Sequence, residues 1–201
     1  VRLDAVHAVA AFGAFDALLP RLQDDDEEVL IATIEALGAS SQADHLNRLT
    51  PFLRSRSTYV VSAAFAGLAG ARHEPALDAL NELVAKHADV SESGLQQLES
   101  RLFALADWGD PRSVPAFLHV IELRDEKYEK AVEANTDPNV SYFTAYGMVY
   151  SWALQGLGRA SGQQNDLSLS LSITPKDRLR LVAFWAEWWR TQGAQAIRDR
   201  R

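Results

Sequence analysis

Aromatic side chains that could bind a ligand are concentrated near the end of the chain, where nine of the 18 aromatic residues follow residue 139. Three tyrosines recur every fourth residue, and three tryptophans occupy positions i, i+3 and i+4. Because these spacings place side chains on one face of a helix, each set could line a groove for a peptide or a flat ligand. The same faces could instead close an apolar core, and we favour that interpretation. The residues are Tyr142, Tyr146, Tyr150, Trp185, Trp188 and Trp189.

Basic side chains lie close to the tryptophans in the sequence. They could bind a phosphate or an acidic peptide, although the same positions suit the solvated face of an amphipathic helix, which we favour. These residues are Lys176, Arg178, Arg180 and Arg190. If this end of the chain contacts a partner, the predicted binding residues are Tyr142, Tyr146, Tyr150, Arg178, Trp185, Trp188 and Trp189.

Other patterns give no catalytic residue, no cofactor site and no metal site. The acidic run from Asp24 to Glu28 lacks the alternating ligands and central glycine of a calcium loop, so a helix-capping role explains it better. Five scattered histidines form no zinc motif, cysteine is absent, and no Gly-x-Ser-x-Gly sequence occurs. The glycine-rich stretch from Gly156 to Gly162 has the wrong spacing for a phosphate loop, and we interpret it as a helix end and loop.

Charge argues against nucleic acid as a partner. The net charge is -7, and the acidic excess lies before residue 176, where it would repel a phosphate backbone. No apolar run reaches the length of a membrane span, and no signal peptide is visible. The first residue is not Met, so a leader or upstream segments could have been removed. We expect a cytoplasmic protein with no membrane partner.

The elements that would position these residues are helices arranged in a repeat. The chain holds 31 Ala and 26 Leu, the residues that lose least on entering a helix. Similar helices begin near Val1, Val29 and Val60, and leucine-striped second helices over 15–22, 43–53 and 75–84 separate them. A hairpin of two such helices cannot bury its apolar stripe alone, whereas stacked hairpins can. The pattern therefore predicts an all-α protein, an α-solenoid of stacked hairpins.

The signature of the first helices resembles HEAT-like repeats, especially the short bacterial form related to phycobilisome-lyase repeats. The pattern is Asp-x-x-Val-Arg-x-x-Ala-x-x-Ala-Leu-Gly. It is matched by Val1, Arg2, Ala5 and Ala8, by Asp26, Val29, Ala36, Leu37 and Gly38, and in part by Val60, Ala64 and Leu68. Near Asp137 only the entry to the repeat matches. The resemblance implies scaffolds, adaptors and lyases alike, so it predicts the fold more closely than the function.

We predict one domain over residues 1–201 with about five hairpins, an irregular insertion at 160–175 and a closing helix at 176–192. Within the insertion, leucines alternate with serines from 166 to 174, and this period of two predicts a short extended segment. A first hairpin without a neighbour would expose apolar surface, so self-association through the N-terminal end is expected.

The predicted function is a non-catalytic scaffold or adaptor that binds another protein on its concave face. One alternative is a lyase-like protein that holds a planar chromophore or small ligand against the C-terminal aromatic residues. A second alternative is a HEAT-like DNA-repair glycosylase, which the acidic charge disfavours.

Overall fold

The computed structural model describes residues 2–40, 42–87, 91–122, 140–162 and 175–199, and at 92, 140–147 and 175–178 it describes the backbone alone. These residues are helical or form turns, with no strand among them. The prediction of an all-α protein is therefore confirmed for the described part of the chain. The chain divides into two compact units, Val1–Leu80 and Asn81–Arg201. That one domain covers both units stays a prediction.

In the first unit, α-helices alternate with shorter helical segments. Its α-helices are α1 (Arg2–Ala11), α2 (Glu27–Ala39), α3 (Ala43–Leu49), α4 (Thr58–Gly70) and the first residues of α5 (Leu77–Ala85), and its 3-10 segments are Phe15–Gln23, Thr50–Arg54 and Glu74–Ala76. Helix α2 packs between α1 and α4, so the first helices of successive hairpins lie side by side. Their apolar stripes form the core of this unit, through Val29, Ile34, Leu37, Val60 and Leu68.

Two helices begin with a side-chain cap, and the cap at Asp26 agrees with the capping role predicted for the acidic run. The Asp26 side chain accepts a hydrogen bond from the backbone N–H of Glu28 at 3.1 Å, and the Ser57 hydroxyl accepts one from Val60 at 3.4 Å. Each side chain satisfies an N–H group that the first turn of a helix leaves without an intrahelical partner.

The second helices differ from the prediction, because each contains a tight 3-10 segment. The segment Phe15–Gln23 is 3-10 throughout, α3 tightens into Thr50–Arg54, and Glu74–Ala76 precedes α5. A proline lies within each segment: Pro20, Pro51 and Pro75. Because proline lacks an N–H donor and its ring crowds the preceding turn, short 3-10 turns accommodate it better than a continuous α-helix does.

Gly38, which matches the last position of the repeat signature, has a packing role. It lies inside α2, which continues to Ala39, and it faces Gly67 of α4. A Cβ atom added to Gly38 would lie 2.6 Å from the Gly67 Cα atom. Two glycines therefore let the backbones of α2 and α4 approach more closely than any side chain would allow.

The second unit contains longer helices. After the end of α5 come α6 (Glu92–Trp108), the 3-10 segment Pro111–Ser113, α7 (Val114–Glu122), α8 (Val140–Ser161) and α9 (Pro175–Asp199). Helix α8 packs on α6 and α7, and α9 packs on α7 and on the segment Pro111–Ser113. The closing helix thus runs seven residues beyond the predicted end at 192. Hydrogen bonds from Arg198 and Gln195 to side chains three and four residues away accompany this extension.

The glycine-rich stretch is also helical, in contrast to the predicted loop. Helix α8 continues through Gly156 to Ser161, and Gly162 alone adopts a left-handed conformation, with φ of +70°. A Cβ atom on Gly156 would lie 2.4 Å from the Phe117 ring. Gly156 therefore provides the space in which Phe117 of α7 packs against α8.

Several predicted features lie outside the described residues. These are the extended segment at 166–174, most of the insertion at 160–175, Val1 and the helix entry at Asp137. Residues 160–162 of the insertion belong to the end of α8 and the turn after it.

Candidate functional site

A cleft of about 540 Å³ lies in the second unit between the end of α8 and the last turns of α9. Ala160, Gly162, Ala196, Pro111 and the Trp188 ring supply its apolar wall. Its polar wall is formed by Arg159, Ser161, Thr191, Gln192, Gln195 and Asp199. The volume falls within the range of about 300–1,000 Å³ that is typical of small-ligand sites.

The Trp188 side chain lines this cleft and carries a buried indole N–H. The residue is 6% exposed, and its indole Nε1 has no hydrogen-bond partner among the residues that the structure describes. Trp185, one turn earlier, is fully buried with an equally unpaired Nε1, but it does not line the cleft. The two indole rings meet edge to face with centroids 5.9 Å apart. A buried donor without an acceptor is costly and uncommon, so this pair of N–H groups marks an unusual site.

Arg159 supplies the positive charge of the cleft. Its Nη1 donates to the backbone carbonyl of Ala106 at 3.3 Å and lies 3.3 Å from the carboxylate of Asp107. Both acceptors belong to the end of α6, where backbone carbonyls lack intrahelical partners. These bonds hold one edge of the guanidinium group against α6.

The other predicted binding residues are placed as follows. Tyr150 is buried at 3% exposure, and Trp189 is half-buried, with its ring over Gly193 of the same helix. The side chains of Tyr142, Tyr146 and Arg178 lie outside the described residues, although the backbone places the two tyrosines on α8 and Arg178 on α9. Partner binding by the full set stays a prediction.

Of the basic residues near the tryptophans, Arg190 forms an ion pair within its own helix. Its Nη2 lies 2.7 Å from Glu187, and this hydrogen bond lowers the pKa of the Glu187 carboxyl and raises the pKa of Arg190. Arg180 is exposed. An exposed pair within one helix agrees with the solvated-face interpretation.

The acidic run of the first unit caps and links helices. Asp24 accepts hydrogen bonds from the Asp26 backbone N–H at 3.1 Å and from Arg2 at 2.8 Å. The backbone bond, with the nearby Arg2 and Arg21, lowers the pKa of the Asp24 carboxyl. Among the described residues no group of His, Asp or Glu is arranged to hold a metal ion.

Polar contacts link segments about one repeat apart in the sequence. His45 Nε2 lies 2.9 Å from Asp16, His73 Nε2 lies 3.0 Å from Asn47, and the Ser57 hydroxyl donates to Glu27 at 3.0 Å. In the second unit Asn81 Nδ2 donates to the Arg112 carbonyl at 3.2 Å. These pairs are separated by 29, 26, 30 and 31 residues. Repeated contacts at one period are what stacked hairpins of similar length would make.

Comparison with known families also indicates repeats in this part of the chain. A family model described as HEAT repeats matches residues 15–99. These residues are therefore similar to HEAT repeats. Searches of curated proteins and of solved structures give no significant match to the chain. The match confirms the resemblance that the helix signature predicts.

One arrangement within residues 15–99 has the residue types of a hydrolase triad. His45 Nδ1 lies 2.9 Å from the Ser40 hydroxyl, and Nε2 lies 2.9 Å from Asp16. A triad needs an accessible nucleophile and a buried carboxylate. Here the Asp16 side chain is 89% exposed, and the Ser40 hydroxyl lies 2.7 Å from the Leu37 carbonyl, to which it donates. The contacts among Ser40, His45 and Asp16 therefore have a structural role. They link the end of α2 to the second segments of two successive hairpins.

Sequence analysis missed both the cleft and this hydrogen-bonded chain. Ser40 and His45 are five residues apart, a spacing that carries no known signature, and Asp16 is 29 residues from His45.

Among the described helices, none combines the length and apolar character that crossing a bilayer would require.

Proposed function

We propose that this chain is a non-catalytic protein-interaction module in which the HEAT repeats stack as an α-solenoid. In this proposal, a partner protein contacts the concave face lined by the second segments of the hairpins. The observation that carries it is the set of polar contacts at one repeat period, Asp16–His45, Asn47–His73 and Glu27–Ser57. Such contacts support regular stacking, and stacked hairpins present an extended binding surface without further folding.

The exposed side chains of the second segments suggest the chemistry of the partner. Asp16, Asp44 and Asp78 lie near the starts of three successive segments, and all three are exposed. Their carboxylates complement the helix starts and place negative charge at the N-terminal ends of these segments, whereas the exposed Arg21, Arg48 and Arg54 place positive charge toward the C-terminal ends of the first two. A partner with basic side chains would therefore find a complementary surface, and charge of this kind mainly favours fast and selective association.

Site-specific photo-crosslinking would test which face binds. A benzoylphenylalanine residue replaces either Asp44 on α3 or Glu35 on α2, since both positions are exposed. We expect light-dependent crosslinks to one defined protein from position 44 and none from position 35. Crosslinks from position 35 alone would refute binding through the second segments, and the absence of crosslinks from both would refute the interaction role.

A charge reversal provides the matched functional control. Asp44→Arg is expected to weaken binding of the crosslinked partner and to reduce the salt dependence of association, because it removes one charge from the complementary face. Glu35→Arg changes the charge of the chain equally but leaves the second segments intact. Equal effects of the two variants would show that net charge, and not this face, controls binding.

A further inference from the structure

The hydrogen bonds of the Ser40 hydroxyl decide the state of one nitrogen of the His45 ring. This hydroxyl lies 2.7 Å from the Leu37 carbonyl and donates its single proton there, because a carbonyl oxygen can only accept. The Ser40 oxygen also accepts from the backbone N–H of Gln42 at 3.4 Å. Toward His45 Nδ1, 2.9 Å away, the same oxygen is therefore an acceptor as well. Nδ1 must then carry a proton.

The other nitrogen of the ring contacts a carboxylate. His45 Nε2 lies 2.9 Å from Asp16 Oδ1, and an ionised carboxylate can only accept. Nε2 must therefore carry a proton too. Both ring nitrogens donate at the same time only when histidine is positively charged. The contacts of this buried ring, which is 2% exposed, are thus those of the charged form.

Asp16 is the charged group that contacts this ring in the described part of the chain. The elements around His45 are α2, α3, α4 and the 3-10 segments Phe15–Gln23 and Thr50–Arg54. Their other charged or titratable side chains are exposed, and no hydrogen bond joins any of them to the ring. They are Arg21, Glu27, Glu28, Glu35, Asp44, Arg48, Arg54 and Tyr59. His73, which also packs near α3, contacts Asn47 instead.

Loss of one proton forces a choice between the two contacts, because a neutral ring has only one donor. If the proton stays on Nε2, the Ser40 hydroxyl must leave the Leu37 carbonyl in order to donate to Nδ1. If it stays on Nδ1, only the Asp16 contact is lost. The Asp16 side chain is 89% exposed, so water can replace its lost donor, whereas the hydroxyl of Ser40 is partly buried. The second arrangement therefore costs less.

We propose that His45 is a pH-sensitive switch between the second segments of two successive hairpins. The charged ring joins α3 to the segment Phe15–Gln23 through Asp16 and to the end of α2 through Ser40. The neutral ring keeps its Nδ1 proton and the Ser40 contact, and it releases Asp16. Histidine changes its charge between about pH 5 and 8, so the contact forms in acid and opens in base. This switch does not depend on a partner protein that binds the second segments.

Nitrogen NMR of the histidine rings in the intact chain tests this proposal, because ring ¹⁵N chemical shifts distinguish the charged form from each neutral tautomer. The chain has five histidines, and His45→Gln assigns the ring that matters. At about pH 5 we expect protons on both His45 nitrogens, and at about pH 8.5 a proton on Nδ1 alone. A nuclear Overhauser effect (NOE) between His45 Hε1 and the Asp16 Hβ protons should be present in acid and absent in base. His7, which is exposed on α1, is the control, and its neutral ring should carry the proton on Nε2, the tautomer that histidine prefers in water.

Two variants separate the two contacts. Ser40→Ala removes the acceptor for Nδ1, so the proton of the neutral ring should move to Nε2, and the NOE to Asp16 should persist in base. Asp16→Asn introduces an amide that can donate to a neutral Nε2. In this variant the neutral ring should keep its proton on Nδ1, while the NOE to position 16 persists at both pH values.

Three results would overturn the proposal. The first is an unchanged chain whose neutral His45 ring carries its proton on Nε2. The second is an Asp16 NOE of the unchanged chain that is equally strong in acid and base. The third is Ser40→Ala with the neutral proton still on Nδ1. If Ser40→Ala loses its far-UV circular dichroism signal, Asp16→Asn decides, because its substitution lies at an exposed side chain, and loss of its NOE in base would overturn the proposal.

Discussion

At the scale of single residues, the close contact between Gly38 and Gly67 predicts that one added methyl group lowers the stability of the protein. Gly38→Ala would place a Cβ atom 2.6 Å from the Gly67 Cα atom. Because both partners are backbone, the helices must separate, and we expect the free energy of unfolding to fall by about 1–3 kcal/mol. Urea denaturation measures this change.

Gly70→Ala is the matched control for that substitution. Gly70 ends α4, and no atom lies within 4 Å of its would-be Cβ. Alanine should leave stability unchanged or raise it by up to about 1 kcal/mol, since it loses less backbone entropy than glycine. Equal changes in the free energy of unfolding would show that the close approach of α2 and α4 does not restrict position 38 to glycine.

His73 makes stability depend on pH. Burial lowers the pKa of His73 in the folded protein below its usual 6.5, so the unfolded chain takes up the proton first. The unfolded state then binds more protons, and the free energy of unfolding should decrease as pH falls below about 6.5. The neutral ring also donates from Nε2 to Asn47, a bond that ties two repeats together.

His73→Gln tests this dependence, because the amide can still donate toward Asn47 but does not titrate. Urea denaturation at about pH 8 and about pH 5.5 should show a smaller loss of stability for the variant than for the unchanged chain. His7→Gln, at an exposed position on α1, serves as the control and should behave like the unchanged chain. An identical pH dependence in the His73 variant would show that other groups control it.

At the scale of elements, the Asp26 side chain stabilises the first turn of α2. Its carboxylate accepts from the Glu28 backbone N–H at 3.1 Å. Asp26→Ala removes this cap, and we expect a loss of about 1 kcal/mol in the free energy of unfolding. The neighbouring Asp25 is exposed and lies outside the cap, so Asp25→Ala removes the same charge and should change stability by less than about 0.5 kcal/mol. Equal losses would indicate a general charge effect.

At the scale of the whole molecule, a large aromatic side chain is exposed just after α1. Val6 is its buried residue, and Phe12, which follows the helix, is 88% exposed. Large exposed aromatic side chains favour association between copies. We expect light scattering to show concentration-dependent self-association that Phe12→Ser reduces. Tyr59→Ser, which removes another exposed aromatic residue of the same unit, should have less effect. A strict monomer at high concentration would contradict this prediction.

The sequence alone determined the local features of this protein. The period of apolar residues predicts which segments are helical, and side chains such as Asp26 and Ser57 predict where helices begin, because both depend on interactions within a few residues. The recurrence of one helix signature near Val1, Val29 and Val60 predicts the resemblance to HEAT repeats. The 3-10 segments were not predicted, although Pro20, Pro51 and Pro75 were visible in the sequence.

Tertiary structure decided the features that depend on residues far apart in the chain. The role of Gly38 depends on its contact with Gly67. The His45 ring, which contacts Ser40, also contacts Asp16, 29 residues earlier in the chain. The tryptophan spacing predicts a shared helix face, but it cannot reveal that Trp188 lines a cleft with Arg159 or that its N–H is buried without an acceptor among the described residues. Helical periodicity specifies which face of a helix is apolar, whereas the packed neighbour determines which polar atoms on that face find partners.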